Sequence, residues 1–140
     1  MLKNLNPLLT GDLLGILADM GHGDEIALVD ANFPAAALAQ RLIELPGQPV
    51  TDVLDAVLSI FPLDDFVDQP AGVMNAPDER PAIFAEFEES IVKGEGRPLD
   101  LELIGRFEFY DRAEAAYAII ATGERRLYGN IILKKGVVRL

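Results

Sequence analysis

Apolar positions near the start of the chain recur at helical spacing. Leu13, Leu14, Leu17 and Met20 fall on one face of a 3.6-residue period. Thr10 stands where a capping hydroxyl is needed, Asp12 lies at the positive end of the dipole, and Gly21 is placed to end the helix. The next segment, "EIALV" from Glu25 to Val29, is apolar without alternation and predicts a strand covered on both faces. Pro34 opens a second helix through "AAALAQ", and "RLIEL" reads as a strand closed by "PGQP". Thr51 is the expected cap of a helix that carries Val53, Leu54, Val57, Leu58 and Phe61 on its apolar face.

The second half continues the alternation. "AGVMNA" predicts a strand. Asp78 and Pro81 begin a helix whose buried face is Ile83, Phe84, Phe87 and Ile91, broken at Gly94 to Gly96. "LELI" reads as a strand, "RFEFYDRAEAA" as a short helix or turn, "YAIIA" as a strand and "TGER" as a tight turn. The final "YGNIILKKGVVRL" is strand-like on both sides of Gly136. Helices alternating with strands, and hairpin-like strands at the end, predict an α/β fold. The expected form is a single domain over 1–140 with a mixed, mostly parallel sheet and helices on both faces.

Composition narrows the function classes. Half of the 140 residues are apolar and a quarter charged, so a packed globular core is expected. The net charge of -11, with no basic stripe, argues against nucleic acid and anionic membrane as partners. The lack of cysteine removes disulfides, thiolate catalysis and zinc–thiolate sites. "MLKNLNPLL" is too short and too interrupted to read as a secretory signal, and no apolar run approaches the ~20 residues of a spanning helix. The expected location is the cytoplasm. A mean hydropathy of +0.21 is high for a small acidic domain and points to buried subunit contacts.

Four places carry candidate chemistry. His22, the sole histidine, lies between Gly21 and Gly23. An imidazole exchanges protons near neutral pH, and the glycines leave room beside the ring. The competing reading is a solvated loop histidine after a helix end, and on these residues alone it is favoured. Asp30 sits at the carboxyl end of a predicted strand, where ligands gather in open α/β sheets; helix capping explains it equally well. Arg106 begins "RFEFYDR" near another strand end, with a guanidinium suited to oxygen-rich ligands. Among Phe107, Phe109 and Tyr110, which could wall a site, two are expected in the core, and Arg112 is expected in a surface ion pair. Tyr128, Gly129 and Asn130 offer a ring, a hydroxyl, close backbone approach and an amide; a turn into the last strand is the plain alternative. No serine elbow, phosphate loop, dinucleotide fingerprint or EF-hand spacing occurs. Lone His22 without cysteine makes no zinc site.

Taken together, "MGHGDEIALVDANFP" and "RFEFYDRAEAAYAIIATGERRLYGNIILKKG" resemble the fucose mutarotase/ribose pyranase family, over about Leu5 to Gly136. Arg106 is similar to the fucose mutarotase branch; the ribose branch usually has histidine there. The resemblance implies His22 as the proton donor and Asp30, Arg106, Tyr128, Gly129 and Asn130 as sugar-binding residues. It also implies no cofactor, assembly as ring-like homodecamers, and sites where subunits meet; the expectation of no metal rests on the residues themselves. The implied activity is exchange of the α and β anomers of L-fucose or a related sugar by acid–base-assisted ring opening and closure. The rival expectations are a ribose pyranase-type isomerase and a monosaccharide-binding module without turnover. Asn32 departs from the pattern, since many fucose-branch members carry a second histidine in that turn, and amide cannot titrate.

Overall fold

A computed structural model describes all residues from 1 to 140. The chain alternates as expected: α1 (Gly11–Asp19), β1 (Glu25–Val29), α2 (Ala35–Leu38), β2 (Leu42–Leu45), α3 (Val50–Leu58), β3 (Ala71–Met74), α4 (Ala82–Glu95), β4 (Glu102–Ile104), α5 (Arg106–Ala115), β5 (Ala118–Thr122) and β6 (Ile131–Lys134). The six strands form one sheet in the order β2-β5-β1-β6-β3-β4. β1 pairs parallel to β5, β5 to β2, and β3 to β4, while β6 runs antiparallel to both β1 and β3. The sheet is therefore mixed and mostly parallel.

Side chains of β1 alternate between two cores, as strand geometry requires. Ile26 and Leu28 join the larger one with Leu13 and Leu17 of α1, Val53, Leu54 and Val57 of α3, and Phe84, Phe87 and Ile91 of α4. Ala27 and Val29 join the smaller one with Ala35 of α2 and with Phe109 and Ala113 of α5. Helices thus cover both faces, and the four inner strands bury both sides. That is why "EIALV" shows no polar alternation.

Several local expectations fail for physical reasons. Thr10 caps α1, its Oγ1 accepting from the Leu13 amide at 3.3 Å. Gly21 does not end that helix in a left-handed turn: Met20 leaves it in extended backbone, and positive φ falls instead on Gly23 at 88°. Thr51 is not a cap, because α3 begins one residue earlier behind Pro49, with no capping side chain of its own. α2 stops at Leu38, short of the six residues its pattern suggested. Gly94 stays inside α4, where a Cβ would lie 2.8 Å from Leu58 Cβ, so the glycine lets α4 lie close on α3. Gly96, with φ of 77°, makes the actual stop. The segment after Gly136 forms no strand. Gly136 passes so near Leu63 that a Cβ would come within 2.5 Å of its carbonyl oxygen.

Phe87 is fully buried between α4 and the sheet. Phe87→Ala is expected to cost about 3–5 kcal/mol of unfolding free energy, read from the shift of the urea midpoint at unchanged slope.

Candidate functional site

The single antiparallel strand decides which loops meet. The carboxyl ends of β1, β3 and β4 and the amino end of β6 lie on one edge of the sheet. Asp30 follows β1, Met74 ends β3, Arg106 follows β4 through Gly105, and Tyr128 to Asn130 precede β6. Asp30, Met74, Arg106, Tyr128 and Asn130 line a cavity of about 280 Å³ with Asn32, Phe33, Tyr110 and Leu127. It sits in the crevice beyond the strand ends, where open α/β sheets hold ligands. The volume falls just under the ~300–1,000 Å³ of drug-sized pockets, which suits one small polar molecule.

Asp30 is buried to 8% exposure and its carboxylate is fixed from two sides. Oδ1 accepts from the Asn32 amide at 2.9 Å, and Oδ2 accepts from Asn130 Nδ2 at 3.0 Å. Asn130 returns the bond, its Oδ1 accepting from the Asp30 amide at 2.8 Å. This turn accounts for Asp30 without helix capping; α2 has no side-chain cap. Tyr128 holds φ of 62°, a strained region for a ring-bearing residue that needs support from its surroundings. Arg106, on the first turn of α5, lies 5.7 Å from the ring centroids of both Phe107 and Tyr110. The Tyr110 phenol is the main influence raising the Arg106 guanidinium above its ordinary value, so the cation persists at all ordinary pH.

Four of the expected binding residues, Asp30, Arg106, Tyr128 and Asn130, thus share one cavity. Gly129 is buried beneath the loop and does not face it. Of the three aromatic residues of α5 only Phe109 is core. Tyr110 lines the cavity, and Phe107 projects at 76% exposure instead of being buried. Arg112 is half-buried rather than superficial, bridging Glu25 at 2.8 Å and Glu102 at 2.9 Å and tying α5 to β1 and β4.

His22 is elsewhere. It precedes β1, so the strand, roughly 17 Å of extended chain, separates it from the Asp30 edge. Residues close in sequence are held apart because the segment between them is extended. His22 lines a second, apolar cavity of about 520 Å³ with Leu17, Met20, Phe61, Pro62 and Lys135. Its Nε2 lies 3.0 Å from Oδ1 of Asp64, and its ring centroid lies 5.0 Å from that of Phe66. Asp64 is nearly buried, whereas the His22 side chain is 44% exposed. Burial pushes the Asp64 carboxyl up, but the Phe66 amide, the His22 hydrogen bond and charge, and Lys134 outweigh it and hold the group below its ordinary value. An ionised Asp64 accepts from His22 Nε2–H, which leaves Nδ1 free within the chain. Lys135 braces the same loop, donating from Nζ to the carbonyls of Leu17 and Met20 at the end of α1.

Asp64, Met74, Phe33 and Leu127 are not among the sequence candidates. Asp64 lies 42 residues from its histidine, and no local spacing joins them. No group of three or more His, Cys, Asp or Glu is placed to hold a metal ion, and no helix is long and apolar enough to cross a membrane.

A strand-end cavity built from a locked carboxylate, two amides, two phenols and a guanidinium defines a binding protein or enzyme for a small polar ligand. The chain belongs to the RbsD / FucU transport protein family, whose profile matches residues 3–138. It is 44% identical to an L-fucose mutarotase of Glaesserella parasuis over 140 residues, covering 98% of this chain and 96% of that one. It is 45% identical to the fucose mutarotase of Homo sapiens, covering 99% and 96%. The fold superposes with a TM-score of 0.91 on a fucose mutarotase from Streptococcus pneumoniae in complex with L-fucose. That protein is 43% identical, with 99% of this chain and all of the other covered.

The Asp64 carboxyl lies below its ordinary 3.8 in the folded chain. The stability it contributes is therefore complete above that value and is lost as pH falls through the lower, folded value. Asp64→Asn is expected to flatten the acid limb of a plot of urea midpoint against pH below about pH 5, where the carboxylate of wild type begins to take up protons.

Proposed function

We propose that this chain is a cofactor-independent mutarotase that exchanges the α and β anomers of L-fucose or a close relative. The carrying observation is the Asp30 cavity. Its carboxylate, amide and guanidinium suit neighbouring hydroxyls, while Phe33, Met74 and Leu127 offer apolar surface to the carbon face of a small sugar. The full-length likeness to proteins named fucose mutarotase supports the same reading.

Exchange requires a proton on the ring oxygen and removal of one from the anomeric hydroxyl. The bond from the anomeric carbon to the ring oxygen then breaks. The resulting aldehyde turns about its bond to the sugar chain and the ring recloses on the other face, with the protons returned. His22 is the assigned proton carrier: Asp64 holds Nε2 and stabilises the imidazolium, and Nδ1 is left to work. General acid–base help of this kind is worth about 10²–10⁴-fold.

His22 cannot reach the cavity of its own chain, so the reading requires a second copy to bring the imidazole to Asp30. Both edges suit such contact. Phe107 and Leu127 stand exposed beside the Asp30 cavity, and Phe66 stands exposed beside His22. We extend the reading to a ring of ten copies, as the family resemblance implies, and to the cytoplasm as its location.

One-dimensional exchange NMR of L-fucose, alongside D-ribose and other pentoses, tests the activity; no acceleration of L-fucose exchange would defeat it. His22→Gln is expected to lower the exchange rate by about 10²–10⁴-fold while leaving L-fucose binding within a few-fold of wild type. Co-assembly of equal amounts of His22→Gln and Asp30→Asn chains, each inactive alone, is expected to restore about a quarter of the wild-type rate if neighbours complete each site head to tail. No recovery from an assembled mixture would place the whole site within one chain.

A further inference from the structure

Glu124 is a buried carboxylate at 5% exposure that the reaction does not use. Its Oε1 accepts from the amide of Arg126 at 2.9 Å and from Arg126 Nε at 3.0 Å. Oε2 accepts from Arg126 Nη2 at 3.1 Å and from the Val50 amide at 3.3 Å. Val50 is the first residue of α3, whose N-terminus has no side-chain cap nearby in sequence. Glu124 therefore supplies from across the fold the negative charge that a helix start favours. Arg126 reaches on to Glu86 of α4. Its hydrogen bonds to Glu124 lower that carboxyl below the ordinary range in spite of burial, so the group is held as an anion.

The same residue shapes the binding loop. The Glu124 carbonyl accepts from the Ala31 amide at 2.9 Å, one residue past the Asp30 amide that Asn130 holds. The two ends of the 124–130 loop thus clasp successive amides of the Asp30 turn. A Cβ on Gly129 would meet Glu124 Cγ at 2.7 Å. The glycine between Tyr128 and Asn130 is therefore required because the Glu124 side chain runs beneath it. Tyr128, the residue before that glycine, is the one held at positive φ.

We propose that Glu124 is a positioning residue for sugar binding: through Arg126, Val50 and the space under Gly129 it sets the loop that presents Tyr128 and Asn130 to the ligand. The inference rests on the sugar-binding reading above and adds to it a residue outside the cavity. It separates binding from proton transfer, because Glu124 touches the binding loop but neither lines the cavity nor bonds to His22.

The test compares Glu124→Gln, Arg126→Ala and a control, Val57→Ala, which destabilises the core away from the loop. Dissociation constants for L-fucose, KM, kcat and the exchange of the Asn130 side-chain amide protons in sugar-free protein are measured by NMR. Glu124→Gln is expected to raise Kd and KM about 10-fold or more while kcat falls less than 3-fold, and to speed exchange of the Asn130 amide. Val57→Ala is expected to keep wild-type Kd despite a lower Tm. Folded Glu124→Gln with Kd and Asn130 exchange within 2-fold of wild type would overturn the proposal. So would equal Kd losses in the control. Should Glu124→Gln fail to fold, Arg126→Ala decides: a rise in Kd of about 5-fold supports the role and an unchanged Kd removes it. Wild type that binds no L-fucose would defeat the functional reading instead, and the sugar-free Asn130 exchange would still judge Glu124.

Discussion

The reciprocal pair between Asp30 and Asn130 is the constraint on which the binding edge depends. It joins residues 100 positions apart, using the main-chain amide and the carboxylate of one and both side-chain groups of the other. An amide gives to the carboxylate through its nitrogen and takes from the neighbouring N–H through its oxygen at once. A carboxylate at position 130 could accept but would repel Asp30, and an apolar residue would leave two buried polar groups without partners. Because Asn130 leads directly into β6 and Asp30 leaves β1, the pair also pins the register of two adjacent antiparallel strands at the place where the ligand cavity opens.

Much of the fold is legible in the chain because burial on both sheet faces leaves long apolar runs. "EIALV", "AGVM" and "AIIA" are strands for that reason, and α4 shows its buried face at Ile83, Phe84, Phe87 and Ile91 without ambiguity. Ends are less legible. Pro49 starts α3 without a capping side chain because Glu124, 74 residues away, serves its first amide. No reading of residues 48 to 52 could supply that. The aromatic segment of α5 misleads in another way. Its helical period is broken by polar residues, so Phe107 and Phe109 look equivalent in sequence and yet face water and core respectively.

The site was legible in part. Asp30, Arg106, Tyr128 and Asn130 are candidates by residue type near strand ends, with capping or a turn as plain alternatives for most of them; the family resemblance selects them, and the sheet topology gathers them in one cavity. Met74 and Phe33 carry no such mark, because an apolar residue lining a cavity is indistinguishable in sequence from one lining the core. His22 and Asp30 illustrate the opposite hazard: eight residues apart along the chain, they belong to opposite edges because extended backbone lies between. The dyad of His22 and Asp64 arises only when the loop after α3 returns beside β6, where Leu63 bridges to Lys135.

The placement of His22 and Asp30 at opposite edges has a geometric corollary. Where each copy lends its imidazole to one neighbour and receives one from another, the joint is directional and head-to-tail rather than two-fold. A linear stack of such joints always has one carboxylate unattended and one histidine idle at its ends. Closure into a circle removes both defects at once, so curvature of the assembly would be as much a part of the chemistry as any side chain.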